Sequence, residues 1–269
     1  MKVATVKGFS FNVPKRSWWS FYNSPYPAHR LGTAVDVYFP DEALFPFEEG
    51  RVVATRRVRT PGYVPVREDY LTIVKVDGFC LKVLHVKPKV VEGEHLTLGD
   101  PLGEMVVSGF FSPWSDRHAH FELRPCHDAY RARGAFLMSP ILLELVPSLR
   151  GDELEVVECT ENYCWARPLK TGGRSLTPLT SEGFPIEGGL PHYRYGALFG
   201  EKEGVELFGL GLSVGERLSN GVSIFDANFR VLANGKEIRG VGVYCNNPLF
   251  KLVGRFEEGE AVKLTFVRP

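Results

Sequence analysis

His118 and His120 stand two residues apart in DRHAHFELRP (116–125), at the head of a run with strand character. In a strand, side chains at i and i+2 share a face, so the two imidazoles project together. Ala119 then turns to the opposite face, where close packing needs a small residue, and Phe121 and Leu123 follow it. Two imidazoles on one face can reach a single cation, and catalytic zinc takes three protein ligands plus an open position for water. Asp36 offers the third donor. It lies in TAVDVYF (33–39), with Ala34 and Tyr38 on its own face and Val35, Val37 and Phe39 on the other. A lone carboxylate among valines is costly to bury unless it is paired, hydrogen-bonded or bound to metal. Taken alone, an H-x-H pair also suits strand histidines that hydrogen-bond to neighbours or face water.

The elements that must position these groups read as strands throughout. Short runs rich in Val, Ile, Phe and Tyr lie between glycines and prolines: 33–39, 50–58, 70–76, 79–86 and 118–124. Asp77-Gly78 and Asn234-Gly235 are hairpin turns by residue type. One helix is expected near SPILLELVPSL (139–149), bounded by proline on both sides. A boundary at PSLRGDELE divides the chain into domains 1–149 and 150–269, both all-β with sandwich or barrel architecture. No repeat of 20–50 residues and no low-complexity tract interrupts this pattern.

Composition narrows the function classes. The 269 residues carry 32 basic and 32 acidic side chains, so no net field attracts nucleic acid or an anionic membrane. No apolar window is long enough to span a bilayer, and the N-terminus lacks a secretion-signal pattern, so a cytoplasmic protein is expected. The five cysteines (80, 126, 159, 164, 245) do not suggest a disulfide framework; Cys159 and Cys164 could pair or help bind a metal, but CTENYC lacks C-x-x-C spacing and a second ligand pair, so ordinary thiols are expected. The absence of glutamine hints at a thermophilic source.

In chain order, HRLGTAVDVYFP (29–40), ALFPFEEGRVV (43–53), LKVLHVKP (81–88), VVEGEHLTLGDPLGE (90–104) and HAHFELRP (118–125) follow one another. This succession resembles the lysostaphin-type zinc metallopeptidases, the murein endopeptidases with a duplicated hybrid motif fold. The double-glycine turn followed by H-A-H-F-E is its specific part, and residues about 29–125 carry it. The resemblance implies a β-sandwich or barrel-sandwich first domain and a zinc-dependent endopeptidase acting on a peptide or other amide substrate. It makes Asp36 and His120 zinc ligands, and His85 and His118 the paired histidines beside the metal-activated water. Physical chemistry suits those roles, since an imidazole can move the water's proton and a second can donate to the developing oxyanion.

The departure falls at the first ligand. The family places a histidine four residues before the aspartate, and Gly32 occupies that position here. Either RLGT is a short insertion that lets His29 curl back to the metal, or the site has lost a ligand. SGFFSPWSD (108–116) likewise replaces a Gly/Thr-rich stretch of the family and is expected to border the cleft. Two other readings stay open. One is a degenerate, non-catalytic binding member of the same fold. The other is a phosphocarrier like the sugar-phosphotransferase IIA domains, which also pair two histidines on neighbouring strands. His95 and His127 are expected to be exposed, and HYRY (192–195) to be a turn leading into a strand. KRSWWSFY (15–22) lines a cleft or caps the core.

Overall fold

The computed structural model describes residues 1–60, 66 and 68–269, and the chain is all-β with two units. The first comprises Met1–Phe21 and Pro27–Ile141, and the second Tyr22–Tyr26 and Leu142–Pro269. Each contains a curled antiparallel sheet.

The first unit is organised by a seven-stranded sheet. Its order is His95–Thr97, Glu49–Arg59, Glu68–Val76, Phe79–Leu84, Ala119–Pro125, Val35–Tyr38 and Trp18–Ser20. Sequence neighbours pair where the turn chemistry directs them. Asp77 and Gly78 both take positive φ, 35° and 83°, as a primed two-residue hairpin requires. The central pairing is non-local: Ala119–Pro125 lies between Val35–Tyr38 and Phe79–Leu84, and its register sets His120 opposite both Asp36 and Leu84.

That register separates the two faces of the sheet. Val35, Val37, Ala119, Phe121 and Leu123 are fully buried on one side, where Phe121 meets Phe11 edge-on at 5.4 Å and Phe11 meets Phe47 at 5.7 Å. Two three-stranded sheets, one built on Lys2–Val6 and one on Pro101–Met105, complete the unit. The opposite face carries Asp36, His120, Glu122, Lys82 and Arg124, all nearly without solvent exposure. Trp19 and Phe21 of KRSWWSFY are core residues, while Trp18 stacks on Tyr38 at 3.5 Å.

The second unit has a two-stranded and a thirteen-stranded sheet around a core that includes Leu190, Phe225, Val241, Phe250 and Leu252. The Asn234-Gly235 turn joins Arg230–Ala233 to Lys236–Ile238. Residues 22–26 belong here: Tyr22 packs against Phe199 and accepts a hydrogen bond from Asn220, and Tyr195 donates to the Ser24 carbonyl.

Two expectations are corrected. The 139–149 segment is not a helix: Pro140 pairs with Ala4 and Val146 with Ser175, two edge pairings that the prolines tolerate. These two pairings fall on either side of the Ile141/Leu142 division between the compact units. The cysteines are not all thiols. Cys80–Cys126 and Cys159–Cys164 are disulfides, the second across the hairpin end where those residues face each other, and Cys245 is the free cysteine among the described residues. No helix among the described residues is long and apolar enough to cross a membrane.

Phe121 is the apolar counterpart of the His120 register, fully buried and in ring contact with Phe11 and Phe39. Phe121→Ala should lower stability by about 3–5 kcal/mol in denaturant unfolding of the full chain. A loss under about 1 kcal/mol would show that this face is not the organising core.

Candidate metal centre

Each donor reaches the site by a different local device. His29 sits in the single helical turn Pro27–Arg30, opened by a proline whose fixed φ suits a first helical position. Gly32, at φ 65°, then ends the turn, and Thr33 donates to the Ala28 carbonyl through both its amide and its hydroxyl. The chain thus doubles back within RLGT and brings His29 beside Asp36. His85 lies between Phe79–Leu84 and Val86–Pro88 with φ 65°, an uncommon conformation for a residue with a side chain. Its own amide and carbonyl stay bonded, to Tyr70 and from Val106.

His29, Asp36 and His120 form a buried group that could hold a metal ion. His29 Nε2 is 3.2 Å from His120 Nδ1 and 3.3 Å from Asp36 Oδ2, and His120 Nδ1 is 2.8 Å from Asp36 Oδ1. Ligands about 2.0–2.1 Å from a tetrahedral zinc lie about 3.3 Å apart; the two edges from His29 match that spacing, and the His120–Asp36 edge, at 2.8 Å, is a hydrogen bond.

The outer nitrogens decide the tautomers. His29 Nδ1 is 2.8 Å from the Phe21 carbonyl, which can only accept, so that nitrogen carries the proton and Nε2 turns a lone pair inward. His120 Nε2 donates to Glu122 Oε1 at 2.9 Å, which leaves Nδ1 to face Asp36. His118 Nδ1 donates to the Asp116 carbonyl at 2.8 Å, and its Nε2 lies 3.4 Å from Asp36 Oδ2. His85 Nδ1 donates to Asp69 Oδ2 at 2.7 Å. All four rings are therefore held by acceptors outside the site, the arrangement that commonly backs metal-binding imidazoles. The His85 and His118 ring centroids are 5.3 Å apart, and Phe111 stacks on His118 at 4.4 Å and meets His85 edge-on at 4.7 Å.

Charge follows the same pattern. Burial alone would raise the Asp36 carboxyl, but when the surrounding rings are protonated the charges of His118 and His29 and the bonds from His120 and His29 hold it well below the usual range. Burial lowers His118 to about 4 against the opposing pull of Asp36, with His85 adding to the depression. His120 is raised to about 9, because its bonds to Asp36 and Glu122 outweigh its burial. A proton on His120 thus supplies the positive charge that the converging lone pairs demand, in the place a metal ion would take.

Several contributors were not singled out from the sequence. Asp69 orients His85 and is itself held by the Ser108 hydroxyl at 2.8 Å and the Tyr70 amide at 2.7 Å. Phe111 carried a signal in the aromatic density of SGFFSPWSD, whereas Asp69 sits in the charged cluster RED, which reads as solvated surface. His95 and His127 are exposed and lie apart from this group. His192, in a turn of the second unit, is pushed down to about 3 by burial first and by Arg239 and Lys251 after it.

The fold and the site together define a two-domain all-β protein with a buried His–Asp–His group able to take a metal ion. Residues 11–140 match the N-terminal domain, and residues 147–267 the C-terminal domain, of the family described as domain of unknown function (DUF8155). Together the two matches place the chain in that family. No curated protein and no solved structure matches it.

The Asp69 carboxyl is lowered, since bonds and charge from His85 and bonds from Ser108 and Tyr70 outweigh its burial. A carboxyl depressed by folding contributes stability in full above its unfolded pKa of about 3.9, and that contribution shrinks as pH falls through the folded value. Asp69→Asn should therefore cost about 1–3 kcal/mol at pH 7. Thermal unfolding of both proteins should show the difference closing below about pH 4. A difference that is absent at pH 7, or unchanged in acid, would contradict this role.

Proposed function

We propose that the first unit is a zinc-dependent hydrolase of peptide or related amide bonds, on the barrel-sandwich frame of the lysostaphin-type peptidases. One observation carries the reading: the inward nitrogens of His29 and His120 converge with the Asp36 carboxylate within 2.8–3.3 Å of one another, with every outer imidazole nitrogen already bonded. Two nitrogens and one carboxylate oxygen form the donor set of a catalytic rather than a closed structural zinc site. The order of Asp36, His85 and the H-A-H-F-E strand supports the same reading through its resemblance to that family.

When bound there, zinc supplies an acidified water and polarisation of the amide carbonyl. The chain's own residues do the rest. His118 is neutral at working pH and anchored through Nδ1, so its Nε2 is the acceptor for the nucleophile's proton and can return it to the leaving amine. His85, fixed by Asp69 through Nδ1, can in its doubly protonated form donate from Nε2 to the oxygen that gains negative charge. Phe111 excludes water from the face of both rings.

A second reading, a metal- or ligand-binding member without turnover, is favoured by burial. His29, Asp36, His118, His120 and His85 are 1, 3, 6, 6 and 8% exposed. The phosphocarrier reading is weaker, because Asp36 lies 3.4 Å from His118 Nε2 and would repel a phosphoryl group there. The two disulfides favour an oxidising environment over the cytoplasm expected from the sequence, or the interior of a hyperthermophile, which the missing glutamine also suits.

Metal analysis and a peptide-cleavage assay test this directly. Purified protein should hold about one zinc per chain, as a single three-ligand site requires, and His120→Ala or Asp36→Ala should abolish it. His118→Ala should keep the zinc and lose about 10²–10⁴-fold in turnover. Protein that cannot be loaded with zinc would overturn the metal reading. Zinc-loaded protein that cleaves no amide in a broad peptide library would favour the binding member.

A further inference from the structure

Below the metal group, the same sheet face carries a row of buried charges that the proposed reaction does not use. Glu122 is the hub. Its Oε1 accepts from His120 Nε2 at 2.9 Å and from Lys82 Nζ at 3.1 Å, and its Oε2 accepts from Arg124. Lys82, Glu122 and Arg124 are 5, 2 and 0% exposed, so none is held in place by water. Buried ions keep one geometry only when every donor has an acceptor, and removing one member leaves the others uncompensated.

The remaining acceptors come from one short segment, residues 126–133, that follows the Ala119–Pro125 strand. Arg124 donates to the Asp128 carbonyl at 3.0 Å, to the Asp128 carboxylate at 3.0 Å and to the Arg133 carbonyl. Lys82 donates to the Arg131 carbonyl at 3.1 Å. The segment leaves the sheet at Cys126–Asp128, a single 3₁₀ turn with no side-chain cap. It is tied down by the disulfide from Cys126 to Cys80 on the neighbouring strand. Gly134, at φ 98°, closes the segment, and a Cβ there would lie 2.3 Å from the Asp128 carboxylate. Cys126 is exposed while Cys80 is 3% exposed, so a reductant meets the bond from the Cys126 side.

We propose that Glu122 is the positioning residue that aims His120 at the metal, and that the Cys80–Cys126 disulfide latches the segment holding Glu122 in place, so that reducing this bond weakens metal binding. The inference rests on the metal reading above. In the step itself, a dithiol gives two electrons and two protons to the Cys80–Cys126 bond. Two protein thiols form, and the dithiol becomes a disulfide. The freed segment takes its carbonyls away from Lys82 and Arg124, and Glu122 loses the fixed pose in which it accepts from His120.

Zinc affinity of the full chain, read by competition with a chromophoric chelator, tests the coupling. Glu122→Gln should weaken zinc binding by about 10–100-fold, the usual effect of removing a partner behind a metal ligand. Cys80→Ser with Cys126→Ser should weaken it in the same direction, and the two changes combined should cost less than the product of their separate effects. Dithiol treatment should reproduce the loss, whereas Cys159→Ser with Cys164→Ser should not. Wild-type affinity in both the Glu122→Gln and the Cys80/Cys126 variants would overturn the proposal. Where a variant folds poorly, Cys126→Ser alone changes one exposed position and serves instead. A second readout needs no metal: in the metal-free protein, the His120 Nε2 proton should give a slowly exchanging NMR resonance that disappears on reduction or in Glu122→Gln. Its persistence in both would overturn the positioning role even if the chain binds no zinc, an outcome that would separately refute the metal reading.

Discussion

Asp36 brings a carboxylate into a site walled by imidazoles whose nearest nitrogens converge on it. Such a cluster cannot be buried without a cation at its centre, because lone pair would face lone pair and the carboxylate would have no counter-charge. A proton on His120 meets that demand at minimal cost, and a divalent ion meets it with full use of the donors. The tautomers that create the demand are imposed from outside, by the Phe21 and Asp116 carbonyls and by Glu122 and Asp69.

The rest of the first unit can be read as the means of holding that arrangement. One antiparallel register places Asp36 beside His120, and the alternation it enforces sends Phe121 and Leu123 into the core on the other side. Slipping this register by one residue would exchange the two faces, so the apolar packing that stabilises the unit also fixes the site. Turns supply what strands cannot: a helical turn closed by Gly32 delivers His29, and a left-handed residue at 85 redirects a strand to deliver His85.

How much of this is legible in the sequence depends on whether a contact is local. Alternation in TAVDVYF and HAHFELR is a property of neighbours, and the faces it implies for Asp36, His120 and Glu122 are those of the strands, whereas His118 lies just ahead of Ala119–Pro125. The Asp-Gly and Asn-Gly turns announce themselves by residue type. Asp69 leaves no such trace, because its meaning comes from His85, sixteen residues away, and from Ser108, further along still. The disulfides were hidden for the same reason in one case: Cys80 and Cys126 are 46 residues apart. Cys159 and Cys164 are close in sequence, but their pairing depends on facing each other at a hairpin end that spacing alone does not reveal. The 139–149 segment misled in the opposite way, since its leucines suggest a helix while Pro140 and Pro147 suit edge pairing.

The most direct test of the account is the coordination of the ion itself. X-ray absorption at the zinc edge of purified protein reports the number and kind of atoms around the metal. Two imidazole nitrogens and oxygen donors at about 2.0–2.2 Å, with no sulfur, should be found. The imidazole count should fall to one in His29→Ala if any zinc is retained. An ion bound by sulfur, an imidazole count untouched by His29→Ala, or protein that takes up no zinc would contradict the account.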